Sequence, residues 1–188
     1  MPDAPFHDVT AQGPPGGRAF WVTTSDGVRL RLAHWPGGSA GTVLLFPGRT
    51  EYIEKYGRVA ADLVAGGYHV LTIDWRGQGL SDRLHSDPKI GHVEAFADYQ
   101  NDVAALVQQA GKLALPGPRF LLAHSMGGAI GLRALHQGFA VNATVFCAPM
   151  WKINMSIAVR PFARWISFAM RSAGRGLAFV PGRSGMTM

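Results

Sequence analysis

Phe120-Leu121-Leu122-Ala123-His124-Ser125-Met126-Gly127-Gly128 decides how this 188-residue chain is read. Phe120 to Ala123 is a short, continuously apolar run, the pattern of a strand buried on both faces. From Gly127 to His136 the spacing turns helical, so strand and helix are separated by one sharp turn at Ser125. The same rhythm recurs outward. Thr42-Val43-Leu44-Leu45-Phe46 is another buried strand, followed by a helical stretch with Tyr56, Val59, Ala60, Leu63 and Val64 at helical spacing and Gly66-Gly67 as its stop. Tyr68 to Ile73 reads as a strand, Phe96 to Leu113 as a helix, and Ala143 to Phe146 as a strand. Strands alternating with helices predict an α/β fold with a mostly parallel sheet and crossover helices. Ahead of them, Phe20-Trp21-Val22-Thr23 and Val28 to Trp35 flank Ser25-Asp26-Gly27, a tight-turn signal that predicts an N-terminal hairpin. The stretch up to Gly17 is Pro/Gly-rich and reads as a loose lead-in.

Composition excludes several classes. A hydrophobic share of 47% with 16% charged residues is that of a chain with a real core, not of a disordered one. Lys+Arg 18 against Asp+Glu 12 gives a net charge of +6. Six of the basic residues (Lys152, Arg160, Arg164, Arg171, Arg175, Arg183) lie beyond Pro149, where no acidic residue occurs, which leaves residues 1–149 neutral. Basic charge confined to a tail argues against a nucleic-acid partner, which asks for basic residues threaded through the folded body. The single cysteine, Cys147, permits no internal disulfide and reads as a small buried residue. The start MPDAPFHD has neither a basic nor an apolar signal region, and charge-free stretches such as Ala134 to Trp151 are broken by His, Gln, Gly, Asn and Pro. The expectation is a soluble cytoplasmic chain.

Loops after the strand ends of a parallel sheet carry chemistry. Ser125 sits in such a loop with small residues two before (Ala123) and two after (Gly127), as a strand reversing into a helix requires where the backbones nearly touch. The helix beginning behind it points partial positive charge at the serine. A serine that merely caps a helix gives the same local pattern. Phe46-Pro47-Gly48-Arg49-Thr50-Glu51 follows another strand, and Pro-Gly there is also an ordinary turn signal. Asp74-Trp75-Arg76-Gly77-Gln78-Gly79-Leu80-Ser81 follows a third. It fails as a dinucleotide-binding loop, because Asp82 stands where a third glycine belongs.

Together, in this order, the three loops resemble the alpha/beta-hydrolase family, and within it the monoacylglycerol lipase and bacterial lysophospholipase branch. Gly91-His92-Val93, Phe96, Tyr99, Asp102, His124-Ser125-Met126-Gly127-Gly128 and Ala148-Pro149-Met150 carry the resemblance from about Phe20 to the end of the chain. It implies an alpha/beta-hydrolase fold and a serine ester hydrolase acting on lipid acyl esters. Ser125 would be the nucleophile of an elbow built on Ala123, His124, Gly127 and Gly128. The backbone N–H groups of Arg49, after Gly48, and of Met126 would form the oxyanion hole. No cofactor or metal is implied. Residues 1–149 would be the N-terminal part of the hydrolase core, and residues 150–188 the beginning of a helical cap.

The family also needs an acid and then a histidine downstream of the serine. Beyond Ser125 there is no Asp or Glu, and the one histidine, His136, is on the helix that starts behind the serine, roughly 15 Å along it at 1.5 Å per residue. Upstream, His124 points away from the hydroxyl, while His92 and Asp98 read as surface or capping residues. The expectation is the N-terminal part of a longer hydrolase, truncated in the cap and inactive by itself. In the tail, Arg160, Arg164, Arg171 and Arg175 share one side of a helix beginning near Arg160, opposite Phe162, Trp165, Ile166, Ala169 and Met170. The favoured reading is a cap helix with its apolar side on the core. The alternative is a peripheral contact with the inner membrane surface through those arginines, and with it a non-catalytic, lipid-surface-binding remnant of a hydrolase.

Overall fold

The computed structural model describes residues 2–152 and 156–176. Residues 153–155 and the last twelve residues of the expected cap, Arg183 among them, lie outside them. Seven strands form one sheet: β1 (Asp3–Ala4), β2 (Arg18–Thr23), β3 (Arg29–Trp35), β4 (Gly41–Phe46), β5 (Tyr68–Asp74), β6 (Arg119–His124) and β7 (Ala143–Cys147). Their spatial order is β1-β2-β3-β5-β4-β6-β7. From β5 through β4 and β6 to β7 every pairing is parallel, whereas β1, β2 and β3 join as an antiparallel meander on the β5 side. The helices are α1 (Asp8–Ala11), α2 (Gly57–Ala65), α3 (Tyr99–Lys112), α4 (Met126–His136) and α5 (Val159–Ser172). Single 3-10 turns, Ile53–Tyr56 and Phe96–Asp98, lead into α2 and α3, so those two helices begin later than the apolar spacing predicts.

Two apolar layers flank the sheet. The larger gathers Leu30, Leu32, Leu44, Phe46, Leu71 and Ile73 from the strands with Val103 and Leu106 of α3 and Ile130 of α4. The other packs Trp35, Leu45 and Val70 against Ile53, Tyr56 and Ala60. All six residues of β4 are buried, as expected of a strand covered on both faces.

Three expectations need correction. The N-terminal stretch is not a loose lead-in. Asp3 and Ala4 pair with β2, Phe6 meets the Trp35 ring edge-on at 5.7 Å, and the His7 N–H donates to Glu54. Gly13 and Gly17 permit this, because a β-carbon on either would lie 2.7 or 2.5 Å from the buried Trp35 Nε1. Cys147 is exposed, not buried, since β7 is the outermost strand among the described residues and Val145 on it is 57% exposed. The apolar side of α5 is only partly covered: Phe162 is 62% and Trp165 65% exposed, whereas Ile166, Ala169 and Met170 are half-buried. Among the described residues no helix is long and apolar enough to cross a membrane.

Candidate active site

β6 ends at His124 and α4 starts at Met126, so Ser125 alone makes the turn between them. Its backbone sits at φ 50°, ψ −116°, a region that residues with a β-carbon rarely adopt. Surrounding contacts hold it there. The Ser125 N–H donates to the Cys147 carbonyl at 3.0 Å, and the Ser125 carbonyl accepts the N–H groups of Gly128 at 3.0 Å and Met150 at 2.9 Å. Gly127 lies directly under the preceding loop, where a β-carbon would be 2.3 Å from the Phe46 carbonyl oxygen. Ala123 is fully buried. It faces Gly131 of α4, whose missing β-carbon leaves room for the extra methyl that a glycine at 123 would not have.

The loop after β4 is fastened at three points. The Pro47 carbonyl accepts the Trp75 indole N–H at 3.0 Å. The Gly48 N–H donates to Glu51 Oε2, and the Thr50 N–H donates to Gln78 Oε1. Between those two anchored donors, the N–H of Arg49 meets no acceptor among the described residues, nor does that of Met126 at the start of α4. A β-carbon on Gly48 would be 3.1 Å from the Ser125 β-carbon, so this loop and the serine turn are in contact.

The loop after β5 is scaffold. Asp74 Oδ2 accepts from Arg31 Nε at 2.7 Å and from the Leu80 N–H at 2.8 Å, while Oδ1 accepts the Ile53 N–H at 2.8 Å. Arg31 places its two terminal nitrogens on Glu54 at 2.9 Å each. Arg76 bridges Asp102 and Asp26. Burial pushes the Asp102 carboxyl up to about 6 despite the opposing guanidinium of Arg76. The Asp-x-Arg-Gly-x-Gly-x-Ser stretch therefore supplies the struts, Trp75 and Gln78 among them, on which the Pro47–Glu51 loop rests.

Ser125 Oγ makes no hydrogen bond to a histidine among the described residues. His124 Nε2 faces Glu51 Oε1 at 3.7 Å instead. His136 closes α4 and lines a surface groove with Arg133 and Trp151. His92 pairs with Glu94 at 2.9 Å, and Asp98 accepts the Ala95 N–H at 3.0 Å in the capping role expected of it. No group of His, Cys, Asp and Glu among the described residues is placed to hold a metal. A cavity of about 200 Å³ opens beside Thr50 and Glu51 and is lined also by Arg31, Gln78, Leu80 and Arg83; Ser125 is not part of its wall. The residues that sequence reasoning passed over are Glu51 and Gln78. Each is one polar residue in a loop, and its part is visible only once the backbone N–H it accepts is in place.

This sheet, with a strained serine between a parallel strand and its helix, defines an alpha/beta hydrolase. The family model described as Serine aminopeptidase, S33 matches residues 37–184, and the chain belongs to that family. Lysophospholipase L2 of Escherichia coli (strain K12) is 45% identical over 146 residues, which cover 73% of this chain and 41% of that protein. Probable lysophospholipase L2 of Haemophilus influenzae is 32% identical over 142 residues, 75% of this chain and 44% of that one. Monoglyceride lipase of Saccharomyces cerevisiae is 30% identical over 118 residues, 60% of this chain and 37% of that one. The chain thus spans about two fifths of the length of the curated relatives it matches. Among solved structures, a soluble variant of monoglyceride lipase from Saccharomyces cerevisiae in complex with a substrate analog superposes with a TM-score of 0.62 at 21% identity, covering 85% of this chain and 53% of that one. DcsB in complex with its substrate analogue gives 0.69 at 20% identity, covering 85% and 54%. These two likenesses show the fold.

Proposed function

We propose that the whole protein is a serine hydrolase of lipid acyl esters, of the lysophospholipid or monoacylglycerol kind. Ser125 Oγ attacks the ester carbonyl, and the N–H groups of Arg49 and Met126 receive the developing oxyanion. Water then releases the fatty acid from the acyl-enzyme. Residues 1–149 belong to the catalytic core and residues 150–188 begin a cap over the acyl chain. The observation that carries this reading is the backbone of Ser125, held at φ 50° between β6 and α4 beside a loop in which the Arg49 N–H, between the engaged donors of Gly48 and Thr50, meets no acceptor among the described residues. The lysophospholipase and monoglyceride lipase names of the relatives support the substrate class.

Such a mechanism needs a general base, and none touches Ser125 among the described residues. We therefore expect no ester turnover from the 188 residues by themselves. A fluorophosphonate probe applied to the native gene product tests the reading: labelling that maps to Ser125 and disappears in Ser125→Ala is expected. An unlabelled Ser125 in a folded, full-length protein would overturn it.

A second reading is favoured by α5, whose Phe162, Trp165 and Phe168 stand in solvent on a helix that also carries Arg160, Arg164 and Arg171. Aromatic residues and arginines on one exposed helix suit an anionic lipid surface. In this reading the protein is a non-catalytic lipid-surface module. Sedimentation with vesicles of phosphatidylcholine and phosphatidylglycerol separates the two: binding without hydrolysis supports the module, and absence of binding removes its basis.

A further inference from the structure

Glu51 is buried, with 8% of its surface exposed, next to the nucleophile's turn. A carboxylate in that position is costly to desolvate unless donors surround it. They do. Oε2 accepts the Gly48 N–H and the Tyr56 hydroxyl, Oε1 accepts the Lys55 ammonium, and His124 Nε2 lies 3.7 Å from Oε1. Burial pushes the Glu51 carboxyl up, but the bonds from Lys55, Tyr56 and Gly48 outweigh it and hold the group below the usual carboxylate range. It is therefore a fixed anion and a poor proton acceptor.

Its donors come from two places that the chain must bring together: Gly48 belongs to the loop after β4, and Lys55 and Tyr56 to the 3-10 turn ahead of α2. His124, at the last position of β6, lies beyond hydrogen-bond reach. Gly48 is wedged between the carboxylate and the serine: a β-carbon there would stand 2.8 Å from Glu51 Oε2 and 3.1 Å from the Ser125 β-carbon. Of three consecutive loop donors, Glu51 takes the N–H of residue 48 and Gln78 that of residue 50. The N–H of residue 49 is left between two pinned peptides, so its direction is set by its neighbours.

We propose that Glu51 is a positioning residue, which pins the Gly48 peptide against Ser125 and thereby aims the Arg49 N–H at the reacting carbonyl oxygen. The role rests on the serine-hydrolase reading above. Glu51 does not touch the substrate. It acts through Gly48, with Tyr56 and Lys55 keeping its charge in place.

Glu51→Gln is the informative change. An amide of the same shape has one acceptor oxygen instead of two and turns its NH2 group toward donors it cannot satisfy. In the full-length protein, assayed on a short p-nitrophenyl ester, kcat should fall about 100-fold, the scale of losing one oxyanion donor, while KM stays within about twofold because the ground state is still bound. Fluorophosphonate labelling of Ser125 should slow in parallel. Tyr56→Phe, which removes one donor and leaves the charge, should lower kcat in the same direction by a smaller factor with KM again unchanged. Unchanged kcat in either variant, folded by circular dichroism, overturns the role of Glu51 while leaving Ser125 as nucleophile. A rise in KM with kcat preserved also overturns it, since that pattern belongs to substrate binding. If wild-type Ser125 is not labelled, the hydrolase reading fails and the role of Glu51 fails with it.

Discussion

The carbonyl of Ser125 accepts the N–H of Met150 at 2.9 Å, and the Ser125 N–H donates in turn to the Cys147 carbonyl at 3.0 Å. The turn that exposes the serine is thus clamped from the neighbouring strand and not only by its own strand and helix. Ala148, between the two clamping residues, is itself at φ 44°. Replacing Met150 by proline deletes one clamping donor and leaves the Ser125 carbonyl without that partner. The expected loss is about 1–3 kcal/mol of stability, with slower Ser125 labelling in protein that still folds. Urea unfolding and probe kinetics on the same sample check both.

Gly127 has no room for a side chain. A β-carbon would stand 2.3 Å from the Phe46 carbonyl oxygen and 2.5 Å from that of Pro47. Both contacts are backbone, so they cannot be relieved by a change of rotamer. Gly127→Ala should destabilise by about 3 kcal/mol, the upper end for overpacking, and displace the Pro47–Glu51 loop. A urea midpoint equal to that of the wild type would contradict this.

Arg31 is buried between Asp74 and Glu54, both buried as well. Removing the guanidinium leaves two carboxylates facing each other without a counter-charge. Arg31→Met should cost about 3–5 kcal/mol, the range for breaking a buried ion pair from one side. The triple change Arg31→Met, Asp74→Asn, Glu54→Gln should recover part of that, because no unpaired charge remains. Thermal unfolding of the single and triple variants measures the difference.

His34 stacks on His69, with Nε2 and Nδ1 3.1 Å apart. Burial, then the nearby charge of His69 and Arg18, hold His34 down at about 4. An unfolded chain takes up this proton near pH 6.5, well before the folded one does, so protons favour unfolding. The stability that comes from keeping His34 neutral is complete above pH 6.5 and is lost as pH falls toward 4. The shift corresponds to roughly 3 to 3.5 kcal/mol at 1.36 kcal/mol per unit. His34→Phe should flatten this limb of the stability–pH profile. An equally steep decline in the variant would assign it to another group.

Much of the architecture is legible in the residues. Thr42–Phe46 and Phe120–Ala123 can be read because strands covered on both faces are apolar at every position. The hairpin can be read because Asp-Gly closes tight turns. Prolines and glycines before residue 18 misled for a physical reason: glycines that make a linker supple also let a backbone close over a large ring, and here they pack around Trp35. Cys147 reads as buried because its run is apolar, but a run such as β7 is covered on both sides only when a further strand lies beyond it, and among the described residues none does. In the site, the turn at Ser125 follows from small residues at fixed spacing. Glu51 and Gln78 follow no spacing, because what they accept is backbone, and backbone N–H groups leave no trace in composition.

The conformation of Ser125 has a consequence for stability. A residue with a β-carbon at φ 50°, ψ −116° carries about 1–3 kcal/mol that glycine would not. Ser125→Gly should therefore melt higher than the parent protein. A thermal midpoint at or below that of the parent would contradict this.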